Sequence, residues 1–309
     1  MSAHLPAMLQ YDIVDVFTDR AFAGNPLAVV HGAEALADEQ LLAIAREFNL
    51  SETTFPSVTA EPGDGPRKDY TVRIFTPGGE VPFAGHPTLG TAWVLRQHGR
   101  IASGPVVQRC GVGDIAVEVP DDATGALRLS AEPRDLAGPL DTEGFARAVG
   151  LSAEQVRGDV LAAGCGLTWV HLPVAADALA DCRGEAGLES ALEKMPADQP
   201  LLDPVAGVNV YAVAEGSGDV GVRSRVFCPD VGVVEDPATG SAAVGLGIAL
   251  VARGVLPRGG AYTIRQGVEM GRPSTLHGRV DVADGRAARC QVAGGVVSVA
   301  SGTIAVPEA

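Results

Sequence analysis

The residues best suited to chemistry stand at two glycines. Glu80-x-Pro82-x-x-Gly85-His86 and Glu235-x-Pro237-x-x-Gly240-Ser241 carry the same spacing, and each runs into an apolar segment that reads as a helix. The first N–H groups of a helix have no acceptor inside it, and the helix dipole makes that end positive. A glycine there lets a ligand approach the backbone. Two such ends make a cradle for the carboxylate of a small organic molecule. His86 at the first end would be a neutral hydrogen-bonding group or a proton carrier. Ser241 holds the matching place in the second and reads equally well as an N-cap. Glu235 and Asp236 precede Pro237, and at least one of the two suits a helix-dipole partner. Glu52, in NLSETTF, lies between an apparent helix end and a strand. It reads either as a surface strand carboxylate or as a buried one, whose raised pKa would let it act as acid and base in turn.

The elements that must position these groups are themselves repeated. RIFTPGGEVPFAGHPTLGTA (73–92) matches RVFCPDVGVVEDPATGSAA (225–243) at Arg73/Arg225, Phe75/Phe227 and Pro77/Pro229 as well as at the glycines. That repetition predicts a duplicated half-molecule. Its expected division is 1–127, completed by a terminal strand at about 297–309, and 128–296. Thr88–His98, with Pro87 at its first position, and Ala242–Arg253 are apolar nearly all round, so each is expected at the centre of a curved sheet. Alternating runs predict strands at Tyr11–Phe17, Leu27–Val30, Tyr70–Thr76, Val106–Arg109, Ile115–Val119, Asn209–Ala214 and Arg223–Phe227. Helices are expected at Asp38–Phe48, stopped by Asn49, at Asp141–Val149, and around 175–182 and 187–194. The fold class is α+β: two similar halves, each a curved, mostly antiparallel sheet around a buried helix, without βαβ repetition.

Composition excludes several functions. A net charge of −15 with a pI near 4.7 disfavours nucleic acid and anionic membranes. No secretory signal or membrane-spanning stretch is evident, and five scattered cysteines fit a reducing cytoplasm. The histidines at 4, 31, 98, 171 and 277 have no partner at metal-ligand spacing and read as structural or exposed. GVGDIA and GLGIAL lack the third glycine of a dinucleotide fingerprint, so neither a nucleotide cofactor nor a metal is expected.

DVFTDRAFAGNPLAVV (15–30), AREFNLSETTFP (45–56), RIFTPGGEVPFAGHPTLGTAWVL (73–95), FCPDVGVVEDPATGSAA (227–243) and QGVEMGRPS (266–274) together resemble the PhzF-like isomerase family of phenazine biosynthesis, within the diaminopimelate epimerase fold. The resemblance covers essentially the whole chain. It implies two halves with an active site between them, no cofactor, a homodimer, and a proton shift within a small carboxylate such as trans-2,3-dihydro-3-hydroxyanthranilate. By motif, Glu52 matches the residue that moves the proton, His86, Asp236 and Ser241 match the polar groups around it, and Gly85 matches the glycine beside the histidine. Gly85, Thr239, Gly240 and Ser241 are expected to hold the substrate. The thiol-dependent racemases of the wider superfamily carry a cysteine just before each glycine, where this chain has Ala84 and Thr239. Cys228 is too distant to substitute and reads as a small buried hydrophobe. A thiol-independent epimerase and a non-catalytic metabolite-binding protein are the alternatives.

Overall fold

The computed structural model describes residues 7–59, 65–122, 125–184, 191, 201–203, 205–214, 220–228 and 233–308. The chain divides into two compact units, Met1–Leu129 with Gly294–Ala309, and Ser130–Ala293.

In the first unit β1 (Met8–Val16) pairs antiparallel with β2 (Asn25–Val30) on one side and with the C-terminal strand (Val296–Ala305) on the other. After α1 (Asp38–Phe48), β3 (Glu52–Ser57) lies parallel to β2, with Leu27 opposite Glu52. β4 (Asp69–Thr76) is antiparallel to β3. It turns back on itself as β5 (Gly79–Val81) and, past α2 (Gly85–Gln97), runs parallel to β6 (Gly104–Cys110). β7 (Gly113–Val119) closes an antiparallel hairpin with β6, and β8 (Leu127–Ala131) follows it.

The second unit adds β9 (Asp135–Ala137), α3 (Thr142–Ala148), β10 (Leu161–Gly164), β11 (Thr168–Pro173), β12 (Val205–Val213), β13 (Val220–Cys228), β14 (Val233–Asp236), α4 (Gly240–Ala252), β15 (Gly260–Gln266), β16 (Ser274–Ala283) and β17 (Arg286–Gly294). From β10 to β16 its pairings run antiparallel, parallel, antiparallel, parallel, antiparallel. The same succession holds from β1 through β4 and β6 to β7.

The sheet structure is therefore mixed, an α/β arrangement richer in parallel pairs than expected. The expected absence of βαβ units is wrong. Parallel neighbours need a crossover connection. β2–α1–β3 is one such crossover, and α2 and α4 each span another.

Local chemistry explains the boundaries. α1 buries Leu41, Ile44 and Ala45 at helical spacing, takes Asp38 and Glu39 into its first turn, and stops where Asn49 turns left-handed at φ 50°. α2 begins at Gly85, so Pro87, expected at the first position, is its third residue. Proline is tolerated there because that N–H would have no intrahelical acceptor. α4 likewise starts at Gly240, two residues early. Asp141 caps α3, accepting from Gly144 N–H at 3.1 Å. The helix expected around 175–182 is a short 3-10 turn, Asp177–Asp181. The one expected at 187–194 lies, except for Ala191, outside the described residues.

Both central helices are enclosed. Every residue of α4 from Ala242 to Val251 is buried, and α2 buries His86–Ala92, Val94 and Leu95. Close approach demands glycine: a Cβ on Gly90 would lie 2.5 Å from Leu27 Cδ2 and 2.9 Å from Val16 Cγ2. Among the described residues no helix is long and apolar enough to cross a membrane.

Candidate active site

In the first unit the structure brings Glu52 and His86 together. Glu52 opens β3 directly after the turn that Asn49 begins, and its neighbours Thr53 and Thr54 are fully buried. Its side chain is 18% exposed overall, but the Oε2 end is buried and, among the described residues, has no hydrogen-bond partner. Oε2 lies 3.4 Å from His86 Nε2. Burial is the main cause of a pKa pushed up to about 7, against a smaller lowering by the neighbouring Ser51 side chain.

His86 is the second residue of α2 and is held from behind. Ser51 Oγ donates to Asn25 Oδ1 at 3.3 Å, which fixes the amide so that Asn25 Nδ2 donates to His86 Nδ1, also at 3.3 Å. An amide nitrogen is only a donor, so Nδ1 accepts and the ring carries its proton on Nε2, towards Glu52. The signal for Asn25 and Ser51 in the sequence is their place in the segments DVFTDRAFAGNPLAVV and NLSETTF.

A Ser–Asn–His chain of the same order exists in the second unit. Ser224 Oγ donates to Asn209 Oδ1, and Asn209 Nδ2 donates to His171 Nδ1 at 3.1 Å. It ends differently: His171 Nε2 faces the Ala163 carbonyl at 3.3 Å, and complete burial pushes its pKa down to about 3. With no carboxylate at its end, this copy is a buried structural histidine.

The repeated Arg and Glu of the doubled phrase are clamps. Arg73 Nε and Nη2 reach Glu80 at 2.8 and 2.6 Å, and Arg225 Nε and Nη2 reach Glu235 at 2.9 and 2.8 Å. Each guanidinium also lies over the phenylalanine two residues on, 5.1 Å from Phe75 and 5.2 Å from Phe227. Each clamp ties a strand to the short return strand that leads into a central helix. Glu235 is thus a clamp residue, and the helix-dipole role considered for it does not hold.

Asp236 is bonded differently. Its Oδ2 accepts from Thr239 Oγ1 at 2.5 Å, while Gln266 Nε2 donates to both Thr239 Oγ1 (2.9 Å) and the Asp236 carbonyl (2.8 Å). Thr239 is the N-cap of α4, so Ser241 is the second helical residue and its N-cap reading is corrected. Ser241 Oγ accepts the indole N–H of Trp169 at 3.1 Å. Neither α2 nor α4 has a side-chain cap bond or an acidic residue in its first turn. The N–H groups of Gly85 and of Gly240, Ser241 and Ala242 therefore have no acceptor within their helices and suit an anion. Ala84 is the N-cap of α2, so neither cap residue is a thiol. Cys228 packs with Trp169, Val226 and Ala242 in a buried apolar cluster.

A family model described as phenazine biosynthesis-like protein matches residues 14–302. The chain belongs to this family. It is 36% identical over 300 residues to a trans-2,3-dihydro-3-hydroxyanthranilate isomerase of Pseudomonas aeruginosa, covering 96% of this chain and 99% of that protein. An uncharacterized isomerase of Mesorhizobium japonicum is 34% identical over 303 residues, covering 95% and 98%. Among solved structures, a Bacillus anthracis phenazine biosynthesis protein of the PhzF family superposes with a TM-score of 0.81 at 22% identity, over 96% of this chain and 99% of that one. A hydroxyproline epimerase of Agrobacterium vitis shares the fold, with a TM-score of 0.65 at 15% identity over 97% and 93%. As a member of the PhzF-like family, the chain is an enzyme of the isomerase class.

Proposed function

We propose that this isomerase shifts a proton within a small unsaturated carboxylate of the trans-2,3-dihydro-3-hydroxyanthranilate type, without a cofactor, and that Glu52 carries the proton. The observation that supports this most directly is a buried carboxyl poised near pH 7 whose Oε2 faces His86 Nε2 at 3.4 Å. Ionised Glu52 takes a proton from one carbon. The C–H electron pair becomes a new double bond, the existing one shifts, and Glu52 returns the proton to the far carbon, so no proton is consumed overall. His86, set by Asn25, faces the carboxyl with its Nε2 at 3.4 Å, near enough for its N–H to steady the carboxylate as Glu52 ionises. Asp236 orients or relays protons with Thr239. Gly85, Gly240 and Ser241 hold the substrate through their N–H groups and the serine hydroxyl, beside Thr239, whose own N–H and hydroxyl are engaged by Gln266 and Asp236. The absence of a thiol at Ala84 and Thr239 argues for this reading over a two-thiol racemase.

We read the two units as the two halves of a duplication, 1–127 with 297–309 and 128–296. Their shared succession of strand pairings supports this. The enzyme is proposed to work as a cytoplasmic homodimer. The deciding experiment offers trans-2,3-dihydro-3-hydroxyanthranilate, and a panel of small unsaturated hydroxy- and amino-carboxylates, to the wild type and to Glu52→Gln in D2O. Turnover is expected from the wild type alone, with deuterium at the newly protonated carbon to the extent that protonated Glu52 exchanges with solvent before returning its proton. A Glu52→Gln protein with undiminished turnover would sink the assignment.

A further inference from the structure

Two of the five histidines without a partner at ligand spacing, His31 and His98, converge on one carboxylate far from the acid–base pair. His31 Nε2 and His98 Nε2 lie 2.8 and 2.9 Å from the same oxygen, Asp12 Oδ2. The three potential ligand atoms all fall within 4.8 Å of one another, and the two rings meet edge to face at 5.1 Å and 66°. We propose that Asp12, His31 and His98 form a binding site for one divalent transition-metal ion of the zinc type.

Three separate elements hold these residues in place. Asp12 lies mid-strand in β1, hydrogen-bonded to neighbours on both sides. His31 follows β2 and is anchored by its own N–H to the Gln10 carbonyl at 2.9 Å. His98 is the C-cap of α2. Ligand atoms about 2.0–2.2 Å from an ion sit roughly 3 Å apart, close to the spacing already present between each imidazole nitrogen and the carboxylate. Two imidazoles with one carboxylate suit zinc, cobalt or nickel, whereas calcium and magnesium prefer oxygen ligands alone. The C-terminal end of α2 is the negative end of its dipole and favours a cation there. His98 is 48% exposed, which gives an ion access and leaves room for water to complete the coordination. An ion would fasten the end of the central helix to β1 and β2. His86 stands at the opposite end of α2, about 18 Å away at 1.5 Å per residue, so the site is separate from the acid–base pair.

The test uses the full chain without an affinity tag, stripped with a chelator and titrated with Zn2+ and with Co2+. One ion per chain is expected at micromolar concentration, with a visible Co2+ absorption band and a concentration-dependent rise in Tm. His98→Ala and Asp12→Asn should each weaken binding at least tenfold and lose the band, while His277→Ala, a surface control, should bind as the wild type does. Because His98 is half exposed, its variant is expected to fold, which a melting curve verifies. Binding only at millimolar ion, or unchanged binding in His98→Ala, overturns the site and leaves a hydrogen-bonded staple. Neither result depends on turnover, so failure here is distinguishable from failure of the isomerase reading.

Discussion

Arg225 grips Glu235 through two parallel hydrogen bonds while its remaining Nη1 donates to the carbonyls of Leu179 and Cys182 at 2.8 and 2.7 Å. The matching Arg73 makes the same two bonds to Glu80, but with both side chains more than a third exposed. One motif thus occurs in two dielectric surroundings. Glu235→Gln leaves a guanidinium that is only 8% exposed without its counter-charge and should cost about 3 kcal/mol or more. Glu80→Gln leaves a solvated guanidinium that still pairs with Asp38 at 2.8 Å, and should cost less than about 1 kcal/mol. Urea unfolding of both variants checks the difference, and equal costs would mean that burial does not set the strength of the clamp.

α4 is packed against the second unit's sheet so tightly that one added methyl is expected to matter. A Cβ on Gly245 would stand 2.7 Å from the Ala163 carbonyl oxygen and 2.9 Å from His171 Nε2. Backbone cannot yield as a side-chain tip does, so Gly245→Ala should destabilise by about 1–3 kcal/mol despite alanine's better helix propensity. Gly254→Ala adds a Cβ with nothing within 4 Å but at φ 71°, and it separates backbone strain from crowding. The Tm values of the two variants read the two costs directly.

Trp169 sets the orientation of Ser241. With the indole N–H occupying one lone pair, the serine hydroxyl keeps its own proton to donate. Trp169→Phe removes that hold while keeping most of the apolar bulk in the cluster with Val226 and Cys228. One net hydrogen bond is worth about 0.5–1.5 kcal/mol, so KM should rise roughly two- to tenfold with kcat little changed. A fall in kcat at constant KM would instead place Ser241 in the chemical step.

The sequence was most legible where the signal was local. α1 was readable to its ends because acidic residues, helical periodicity and a left-handed asparagine all act within a few residues. The central helices were readable as buried, but their starts were not: proline usually signals the first helical position, and Pro87 is the third residue of α2. Parallel pairings such as β2 with β3 depend on which strands meet after a crossover, which alternation does not encode. Arg73, Glu80, Arg225 and Glu235 were visible as repeated letters, yet their pairing emerges only once strands fold back. Glu52 was ambiguous because the histidine it faces, His86, lies 34 residues on and is brought in by a different element, α2. Asp12, His31 and His98 are separated by 19 and 67 residues, beyond any ligand-spacing rule.

The raised pKa of Glu52 carries a consequence for stability as well as for rate. An unfolded glutamate titrates near 4.5 and the folded one near 7, so between those values the native state binds more protons than the unfolded state. Stability linked to this residue is therefore fully present below about pH 4.5, is lost progressively as pH rises to about 7, and changes no further above it. A shift of that size corresponds to about 3 kcal/mol. Glu52→Gln removes the titrating group, so its stability should be flatter between pH 5 and 7.5 and should exceed that of the wild type at the upper end. The rate has the opposite slope. If the ionised form abstracts the proton, kcat/KM of the wild type climbs through an apparent pKa near 7 as the native state loses stability. Denaturant midpoints and kcat/KM measured across that pH range in the same buffers check both slopes. A wild-type stability that rises from pH 5 to 7 relative to Glu52→Gln would show the carboxylate to be stabilised in its charged form, and so not poised to take up and return a proton.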